Sequence, residues 1–591
     1  MIKSIKILFI FTLFSITNSI SFAQQSDDAI LRAMRDEINR NMNNLKLETL
    51  QKPYYIEYKL RLRQADRVVS NLGKTVESGS TKFAQLSVEV RIGDYKFDNT
   101  NFFDVGLSFF GSSDDEESFK NRKVQFELDY NALRRELWLA TDAAYKQSSE
   151  IYTKKESSLK SRMRRDSTPD FMPVEAQKNY RKNEFPKFDF KYFENLANKL
   201  SEVFINYPDI FKSSVGIEYI PEDIYYVNSE GIEYIKTEYQ TGIEIAAFTQ
   251  AYDGMPLNDF FTAYSQEPEK LPKLDSLINA AKDVASNLSK LRIAPFLEES
   301  YSGPVIFEDQ AASEVLAQVF LPNLVAQRSQ MSEGGVQQPN RFQAFQTKIG
   351  GRVLPEFLSV MAKPLAENFD NTQLIGNFEI DDNGLLTNEV LLIDNGYLKT
   401  LLSERIPTKR IKNSNAHKRG GAAMLSNMFI NSSKEKQLTK DELKSKMISL
   451  CKDRELPFGL VVRKITNQNL MFTTLFRLAM GSLSIPRGEG AMSLVRTYKV
   501  YPDGSEELIR GSEVSSFAVA SFKDIIHTGN KNYAYNYLSP SVISPFMSSG
   551  DQYVGVSIIT PDLLFEDVEV KSSDEDFKKP PILSNPISEK K

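Results

Sequence analysis

Hydrophobic and polar residues change their spacing several times along the chain, and each spacing predicts a different element. Two aspartates precede residues 29–42, where apolar residues recur at helical intervals. This pattern predicts an amphipathic helix with acids at its start. Over residues 54–60 and 86–92, apolar residues alternate with others, which predicts strands that bury one face. A long helix is expected over about 128–163. The first half of the chain is therefore predicted to be mixed α/β.

The pattern changes after Pro295, which ends a helical stretch over 277–291. Strand patterns then predominate, with one helix expected over about 309–320. Turns are indicated where glycine follows Asn or Asp, and the sequence Pro-Asp-Gly at 502–504 predicts a hairpin. We therefore expect an α+β protein with two domains. The predicted divisions are a signal peptide at 1–23, an α/β domain at 24–295 with an exposed linker near 164–186, an antiparallel β-rich domain at 296–570, and a disordered tail at 571–591.

The first 23 residues have the three parts of a secretory signal. Two lysines precede an apolar run at 7–14, and small residues occupy positions 21 and 23, as a cleavage site requires. The apolar run is short for a bilayer, which needs about 20 residues. No later segment has transmembrane length without charge. The sequence thus predicts a periplasmic or otherwise extracytoplasmic protein that starts near Gln24.

Charge and composition limit the chemistry. The chain has 73 Lys and Arg against 78 Asp and Glu, for a net charge of −5, so no basic excess supports nucleic-acid binding. One Cys cannot form an intramolecular disulfide, and it excludes Cys-rich zinc modules and iron–sulfur clusters. The two histidines, His417 and His527, leave little room for a histidine-built metal site.

A family resemblance rests on several short segments in a fixed order. These segments are VNSEG at 227–231, YSGPVIF at 301–307, KIG at 348–350 with RVLP at 352–355, GNFEIDDNG at 376–384, LIDNGYL at 392–398 and SNMFI at 426–430. Together they resemble the TldD/TldE (PmbA) metallopeptidase family. The resemblance implies a two-domain fold and a heterodimer that cleaves peptides at an enclosed site. It also implies that the TldD-type subunit carries zinc in an HExxxH motif with a distant Cys, and that the TldE-type subunit lacks these ligands.

The zinc ligands of the family can be compared with this chain position by position. Glu308 occupies the first His position, Asp309 the Glu position and Ser313 the second His position, and Met547 lies at or near the Cys position. A hydrolytic zinc needs about three protein ligands and a carboxylate that takes the proton from its water. The resemblance therefore implies no metal site and no catalytic residue in this chain, with zinc only in a TldD-type partner.

Two further features of the same segments have simple interpretations. Glu308 and Asp309 stand where acids would cap the helix and favour its dipole. His417 and Arg419 lie in a polar loop that ends in two glycines, where the family has a loop containing Gly and Arg. The resemblance implies substrate contact at these two residues, and the alternative is an ordinary exposed loop.

Three functions remain open on the sequence. The leading hypothesis is an exported, zinc-free, TldE-like subunit that shapes the substrate chamber of a heterodimeric peptidase. The alternative is a stand-alone extracytoplasmic peptide-binding protein on the same fold. A third is an active hydrolase that holds a harder metal ion on Glu308, Asp309 and Glu314, because sites made only of carboxylates favour magnesium, calcium or manganese.

Overall fold

The computed structural model describes most of the chain. The described residues are 28–47, 50–103, 122–160, 167–332, 342–466, 492–514, 517–540 and 553–572, with six positions between 577 and 586. The predicted signal peptide, Met547 and most of the predicted tail lie outside these residues. Within them, no helix is long and apolar enough to cross a membrane.

The first half of the chain is built around one large sheet. Its helices are α1 Ala29–Asn44, α2 Tyr130–Lys160, α3 Phe190–Glu202 and α4 Leu274–Ile293. Its strands are β1 Pro53–Asn71, β2 Lys74–Ile92, β3 Phe102–Phe103, β4 Arg122–Val124, β5 Lys178–Arg181, β6 Lys212–Asn228, β7 Glu233–Gln250 and β8 Pro256–Ser265. The sheet has the order β4-β2-β1-β6-β7-β5, and β8 also pairs with β7.

The two faces of this sheet differ in chemistry because strand side chains alternate between faces. On one face, Tyr58 and Leu60 of β1 are fully buried and belong to a core that includes residues of α1 and α2. Farther along the same face, Val68 belongs to a second core with residues of α3 and α4. The intervening positions of β1 carry charges, among them Arg61 and Arg63. The sheet therefore has an apolar face under four helices and a charged face opposite.

The second half of the chain is rich in strands. Its helices are α5 Asp309–Val315, which continues as a π-helical turn over Leu316–Phe320, and α6 Lys440–Asp453. Its strands are β9 Tyr301–Phe307, β10 Met331–Ser332, β11 Leu358–Ala362, β12 Asn368–Phe369, β13 Thr372–Gln373, β14 Val390–Asp394, β15 Tyr397–Leu398, β16 Lys418–Arg419, β17 Ala422–Ala423, β18 Asn427–Ser432, β19 Gln437–Leu438, β20 Gly459–Ile465, β21 Met492–Val500, β22 Glu506–Ile509, β23 Ser512–Val514, β24 Ile525–Pro540 and β25 Tyr553–Ser572.

A closed ring of strands organises this half. The large sheet has the order β15-β14-β11-β18-β25-β23-β21-β20-β9, and β25 pairs in addition with β9. Strands β9, β20, β21, β23 and β25 therefore form a circuit, and α5 contributes Ala311, Ala312 and Val315 to the core. The predicted α+β class is confirmed. The sheet is nevertheless mixed, since β18 with β25, β19 with β24 and β9 with β20 are parallel pairs.

The prediction of an exposed linker near 164–186 is wrong for part of the segment. Asp170 and Phe171 are buried, and residues 178–181 form β5. The charges suggested a solvated loop, but Asp170 forms buried ion pairs with Lys155 at 2.7 Å and with Arg328 at 3.0 Å. Residues 168–171 and the paired strand at 178–181 therefore belong to the folded body of the protein.

Candidate functional site

The positions that match the zinc motif lie where β9 passes into α5. Arg463 Nε donates a hydrogen bond to Glu308 Oε2 at 2.9 Å. Lys440 Nζ donates to Asp309 Oδ2 at the same distance. The Ser313 hydroxyl, which is fully buried, donates to the Asp309 carbonyl oxygen at 3.1 Å. All three side chains are therefore held by other groups of the same chain.

The expected capping of this helix by its own acids is wrong. Glu308 occupies the N-cap position but makes no side-chain cap hydrogen bond. Instead, Asp562 on β25 accepts a hydrogen bond from the Asp309 backbone N–H at 2.9 Å. The physical reason is competition, because Arg463 and Lys440 engage the two local carboxylates and leave the cap to a residue distant in sequence.

These residues do not fit a zinc ion. Zinc takes imidazole, thiolate or free carboxylate donors, whereas both carboxylates here are already neutralised by a cation. Their pocket, of about 520 Å³, is lined by five basic side chains against four carboxylates, so it offers a metal cation no excess of negative charge. The basic residues are Lys440, Lys444, Arg463, Lys464 and Arg496. We call this the motif pocket.

A metal site made only of carboxylates is contradicted as well. Glu314 does not line the motif pocket but is buried beneath the helix, where Tyr535 and Gln318 donate hydrogen bonds to its carboxylate. Burial raises the pKa of Glu314 from 4.5 to about 7. Across the described part of the chain, no three His, Cys, Asp or Glu side chains are grouped so that they could hold a metal ion.

A second cavity, of about 530 Å³, lies between the charged face of the first sheet and the second half of the chain. We call it the interdomain cleft. Its sheet side includes Arg61, Arg63, Glu222, Lys236 and Glu238, and its other side includes Asn377, Phe378, Asp382, Arg419 and Gly555. The volume is within the range of about 300–1,000 Å³ that is typical of ligand sites.

Asp382 joins the two walls of the interdomain cleft. Its carboxylate lies 3.4 Å from Lys59 Nζ and 3.3 Å from Lys236 Nζ, both on the sheet. Burial alone would raise the pKa of Asp382, but Lys59, Lys236 and Arg61 outweigh that effect and hold it well below its usual range. The carboxylate is therefore ionised at any physiological pH.

His417 and Arg419 occupy different places, although they are neighbours in the sequence. His417 is fully buried, and its Nδ1–H donates to the Asn415 carbonyl oxygen at 2.8 Å. Burial lowers its pKa to about 4, so the ring is neutral. The expectation of an exposed loop is wrong for this residue, which does not line the interdomain cleft. Arg419 does line the cleft, immediately before a tight turn in which Gly420 and Gly421 have φ values of +61° and +92°.

The sequence did not single out Asp382, Lys236 or Glu238, which lie at the cleft. A usable signal was present in β1, where charges alternate with buried apolar residues from Lys59 to Arg63. That alternation indicates one open or charge-lined face. The position of Asp382 in an Asp-Asp-Asn-Gly turn predicted only the turn, because its contacts with the sheet are long-range.

Comparisons with known proteins agree with this geometry. Residues 300–495 match the family model described as the PmbA/TldA metallopeptidase C-terminal domain. A comparison with curated protein sequences gives no match. Three solved structures share the fold: TldE from Thermococcus kodakarensis, and proteins proposed to modulate DNA gyrase from Thermotoga maritima and from Bacteroides thetaiotaomicron.

The three structural matches extend over nearly the whole chain. TldE is 11% identical, with a TM-score of 0.54, and the match covers 91% of this chain and 100% of that one. The Bacteroides protein is 11% identical, with a TM-score of 0.56 and coverage of 92% and 98%. The Thermotoga protein is 13% identical, with a TM-score of 0.53 and coverage of 87% and 96%. These matches show that the chain has the TldE-like fold, and the family model shows that residues 300–495 resemble the PmbA/TldA metallopeptidase C-terminal domain.

Proposed function

We propose that this chain is the zinc-free, TldE-like subunit of an exported heterodimeric peptidase. A TldD-type partner would supply the zinc and the catalytic residues, and this chain would shape the chamber that receives the peptide. The observation that carries the proposal is the motif pocket, in which Arg463 and Lys440 neutralise the carboxylates at the family's ligand positions. A chain with this arrangement needs another chain for zinc chemistry.

The interdomain cleft supports a role in holding peptide. It combines charged groups with backbone and amide groups such as Asn377, and it is large enough for a few residues of an extended chain. Asp382 fixes its two walls together through Lys59 and Lys236. The cleft would therefore orient a peptide without taking part in bond cleavage.

Export is the second part of the proposal. The charged start, the apolar run at 7–14 and the small residues at 21 and 23 support a signal peptide. We expect N-terminal sequencing of the protein from its native host to begin near Gln24, in an extracytoplasmic fraction. An intact Met1 on cytoplasmic protein would contradict export without affecting the assignment of the subunit.

The alternative is a stand-alone peptide-binding protein, and one observation favours it. Both walls of the interdomain cleft come from this single chain, so the cleft does not require a partner. The two functions predict different results when this chain is mixed with an HExxxH homologue. A stand-alone binder would bind peptides alone and would leave the peptidase activity of any HExxxH homologue unchanged.

The test is co-expression with an exported homologue that carries HExxxH. We expect the two chains to co-purify, zinc at one equivalent per pair by elemental analysis, and peptidase activity only in the pair. Replacing the glutamate of the partner's motif should abolish activity, whereas Glu308→Gln and Asp309→Asn in this chain should leave zinc content unchanged. Stoichiometric zinc in this chain alone, or chelator-sensitive activity that is lost in Asp309→Ala, would overturn the proposal.

A further inference from the structure

The sheet of the first half has an interruption along one edge of β7. Strand β5 pairs with β7 from Glu233 to Lys236, and β8 pairs with it from Thr241 onward. Among the described residues, no strand pairs with 237–240 on this side, although β6 covers them on the other. At about 3.3 Å per residue, the interruption is roughly 13 Å long.

This interruption opens into the interdomain cleft. All four residues of 237–240 line the cleft, together with Asn183 just after β5 and Gln266 just after β8. Alternate residues of an unpaired strand edge present backbone N–H and C=O groups that can pair with another chain. The open edge therefore offers hydrogen bonds to an extended peptide lying in the cleft.

Arg419 stands out among the charged residues of the same cleft. Its Nη1 donates to the carbonyl oxygens of Leu425 at 3.1 Å and Gly555 at 2.9 Å. Its guanidinium carbon lies 4.6 Å from the centre of the Phe378 ring. These contacts hold the guanidinium in place through one nitrogen and one face, and the group is only half-buried.

Every other described cation that lines the cleft has a carboxylate partner. Arg61 and Arg63 pair with Glu222, Lys236 pairs with Glu238 and Asp382, and Arg181 pairs with Glu379. Arg419 has no described carboxylate within 4 Å, and its burial lowers its pKa to about 10. The nearby Glu238 and Asp382 are already engaged by Lys236. The cleft is lined by five basic and five acidic side chains, and among the described residues Arg419 is the cation there that has no ion-pair partner.

We infer that the interdomain cleft binds an extended peptide that adds a short strand to the open edge of β7 and places a carboxylate on Arg419. The inference rests on the proposed function and names the class of peptide. A guanidinium presents a planar set of donors that matches a carboxylate, and an anchored one loses little further freedom on binding. The carboxylate comes from the C-terminus of the peptide or from an Asp or Glu side chain.

The pairing of the cleft's charges favours a ligand with a single carboxylate over a polyanion. With one unpaired cation, the cleft has no cluster of free basic groups that a nucleic acid or polyphosphate would require. The open edge of β7 further restricts the ligand to a peptide, because pairing with 237–240 needs a backbone of alternating hydrogen-bond donors and acceptors. A peptide with one carboxylate supplies both.

The experiment is fluorescence anisotropy with the purified full chain and a labelled heptapeptide of Ala, Ser, Thr and Val. Four forms are compared: a free C-terminal carboxyl, a C-terminal amide, an amide with one internal Glu, and the same amide with Gln in its place. We expect at least tenfold tighter binding of the forms that carry a carboxylate. The free-acid form identifies the C-terminus as the source, and the Glu form identifies a side chain.

Variants test the two halves of the inference separately. In Arg419→Gln, the preference for a carboxylate should fall to less than twofold, whereas Arg419→Lys should keep part of it. Arg454→Gln removes the same charge from a surface ion pair with Glu566 outside the cleft, and should keep the full preference. Methylation of alternate backbone nitrogens of the peptide should weaken binding at least tenfold, because it removes the strand pairing. If Arg419→Gln does not fold, the preference for a carboxylate in the wild type and in Arg419→Lys still tests the role of Arg419.

Two outcomes would overturn the inference. Equal binding of the forms with and without a carboxylate would remove the role of Arg419, and unchanged binding of methylated peptides would remove the strand pairing. Either result leaves the proposed function intact, because peptide would still bind. Absence of binding to every peptide, by the chain alone and by the pair with its HExxxH partner, would contradict both.

Discussion

The motif pocket and the interdomain cleft are similar in volume and both are rich in charged side chains. They differ in whether those side chains all have ion-pair partners. In the motif pocket, Glu308 and Asp309 are each matched by a basic residue, Arg463 and Lys440 respectively. In the cleft, most charges are matched as well, but Arg419 is left without a carboxylate partner among the described residues. The difference between the two sites is therefore the guanidinium of Arg419, which has no described carboxylate beside it and can bind one from a ligand.

The comparison teaches that the number of charged side chains does not by itself mark a functional site. A charged side chain that already has an ion-pair partner would have to give up that partner to bind a ligand. An anchored, unpaired group has been positioned by the fold and still lacks its counter-charge. At the motif pocket the two carboxylates are already paired, whereas in the cleft Arg419 has no carboxylate partner among the described residues.

The largest expected effect comes from Asp382→Asn. This change leaves Lys59, Arg61 and Lys236 buried without their shared carboxylate, so we expect the free energy of unfolding to fall by about 3–5 kcal/mol. Because the pKa of Asp382 lies far below its usual range, the loss should be the same at pH 5 and pH 8. Urea unfolding followed by circular dichroism measures it.

The matched control for Asp382→Asn is Glu379→Gln. Glu379 also joins the two walls of the cleft, through Arg181, but the two side chains are 39% and 62% exposed respectively. Exposed ion pairs contribute about 0–1 kcal/mol, and we expect a loss within that range. If the two variants lose the same free energy, the cleft walls are not held together by the buried charge network.

A middle-sized effect is expected for Glu314→Gln. The folded protein favours the protonated carboxyl, because burial raises the pKa of Glu314 from 4.5 to about 7. Its contribution to stability is therefore full below pH 4.5 and is lost as the pH rises through 7. The neutral Gln avoids this loss, so the variant should match the wild type at pH 4.5 and exceed it by on the order of 2 kcal/mol at pH 8.

Thermal and urea unfolding at both pH values would check this difference. Glu308→Gln serves as the control on the same helix, because Arg463 holds the Glu308 carboxylate. It should be no more stable than the wild type at pH 8. If the stability difference between Glu314→Gln and the wild type does not change with pH, the ionised Glu314 carboxylate does not destabilise the fold, and the prediction is wrong.

A smaller effect than at Asp382 or Glu314 is expected at Asp562, which caps α5 from β25. Asp562→Ala should lower the free energy of unfolding by about 1 kcal/mol, the usual cost of losing an N-cap acceptor. Asp562→Asn keeps a side-chain oxygen and should lose less. Chemical denaturation of the two variants side by side measures the difference. Equal losses would mean that the ion pair with Lys440, rather than the cap, accounts for the effect.

Local features of the fold were predictable from the sequence because local chemistry determines them. The expected helix over 128–163 is observed as Tyr130–Lys160, and the hairpin at 502–504 joins β21 and β22. Strands β1 and β2 extend well beyond the predicted 54–60 and 86–92. The outer part of β2 is exposed and carries no apolar alternation, and the outer part of β1 buries Asp66, Val68 and Ser70, of which only Val68 is apolar, so backbone pairing is the main mark of both.

Features that depend on distant residues could not be predicted. The cap of α5 comes from Asp562, which is 253 residues away, and the open edge of β7 exists only because β5 and β8 stop short of each other. The burial of Asp170 depends on Lys155 and Arg328 in the same way. A single sequence carries no signal for such pairings, because register and distance are set by the assembled sheet.

The closed ring of strands also determines when this protein can fold. Strand β25 pairs with β9, β18, β23 and β24, and Ser302 bonds to Asp567 across 265 residues. During synthesis, the first strand of the second half must wait for nearly the last. Contacts of such long sequence separation form slowly, so the edges that β9, β18, β23 and β24 present to β25 stay unpaired until β25 has been synthesised. A truncation before residue 553 therefore deprives four strands of a neighbour at once.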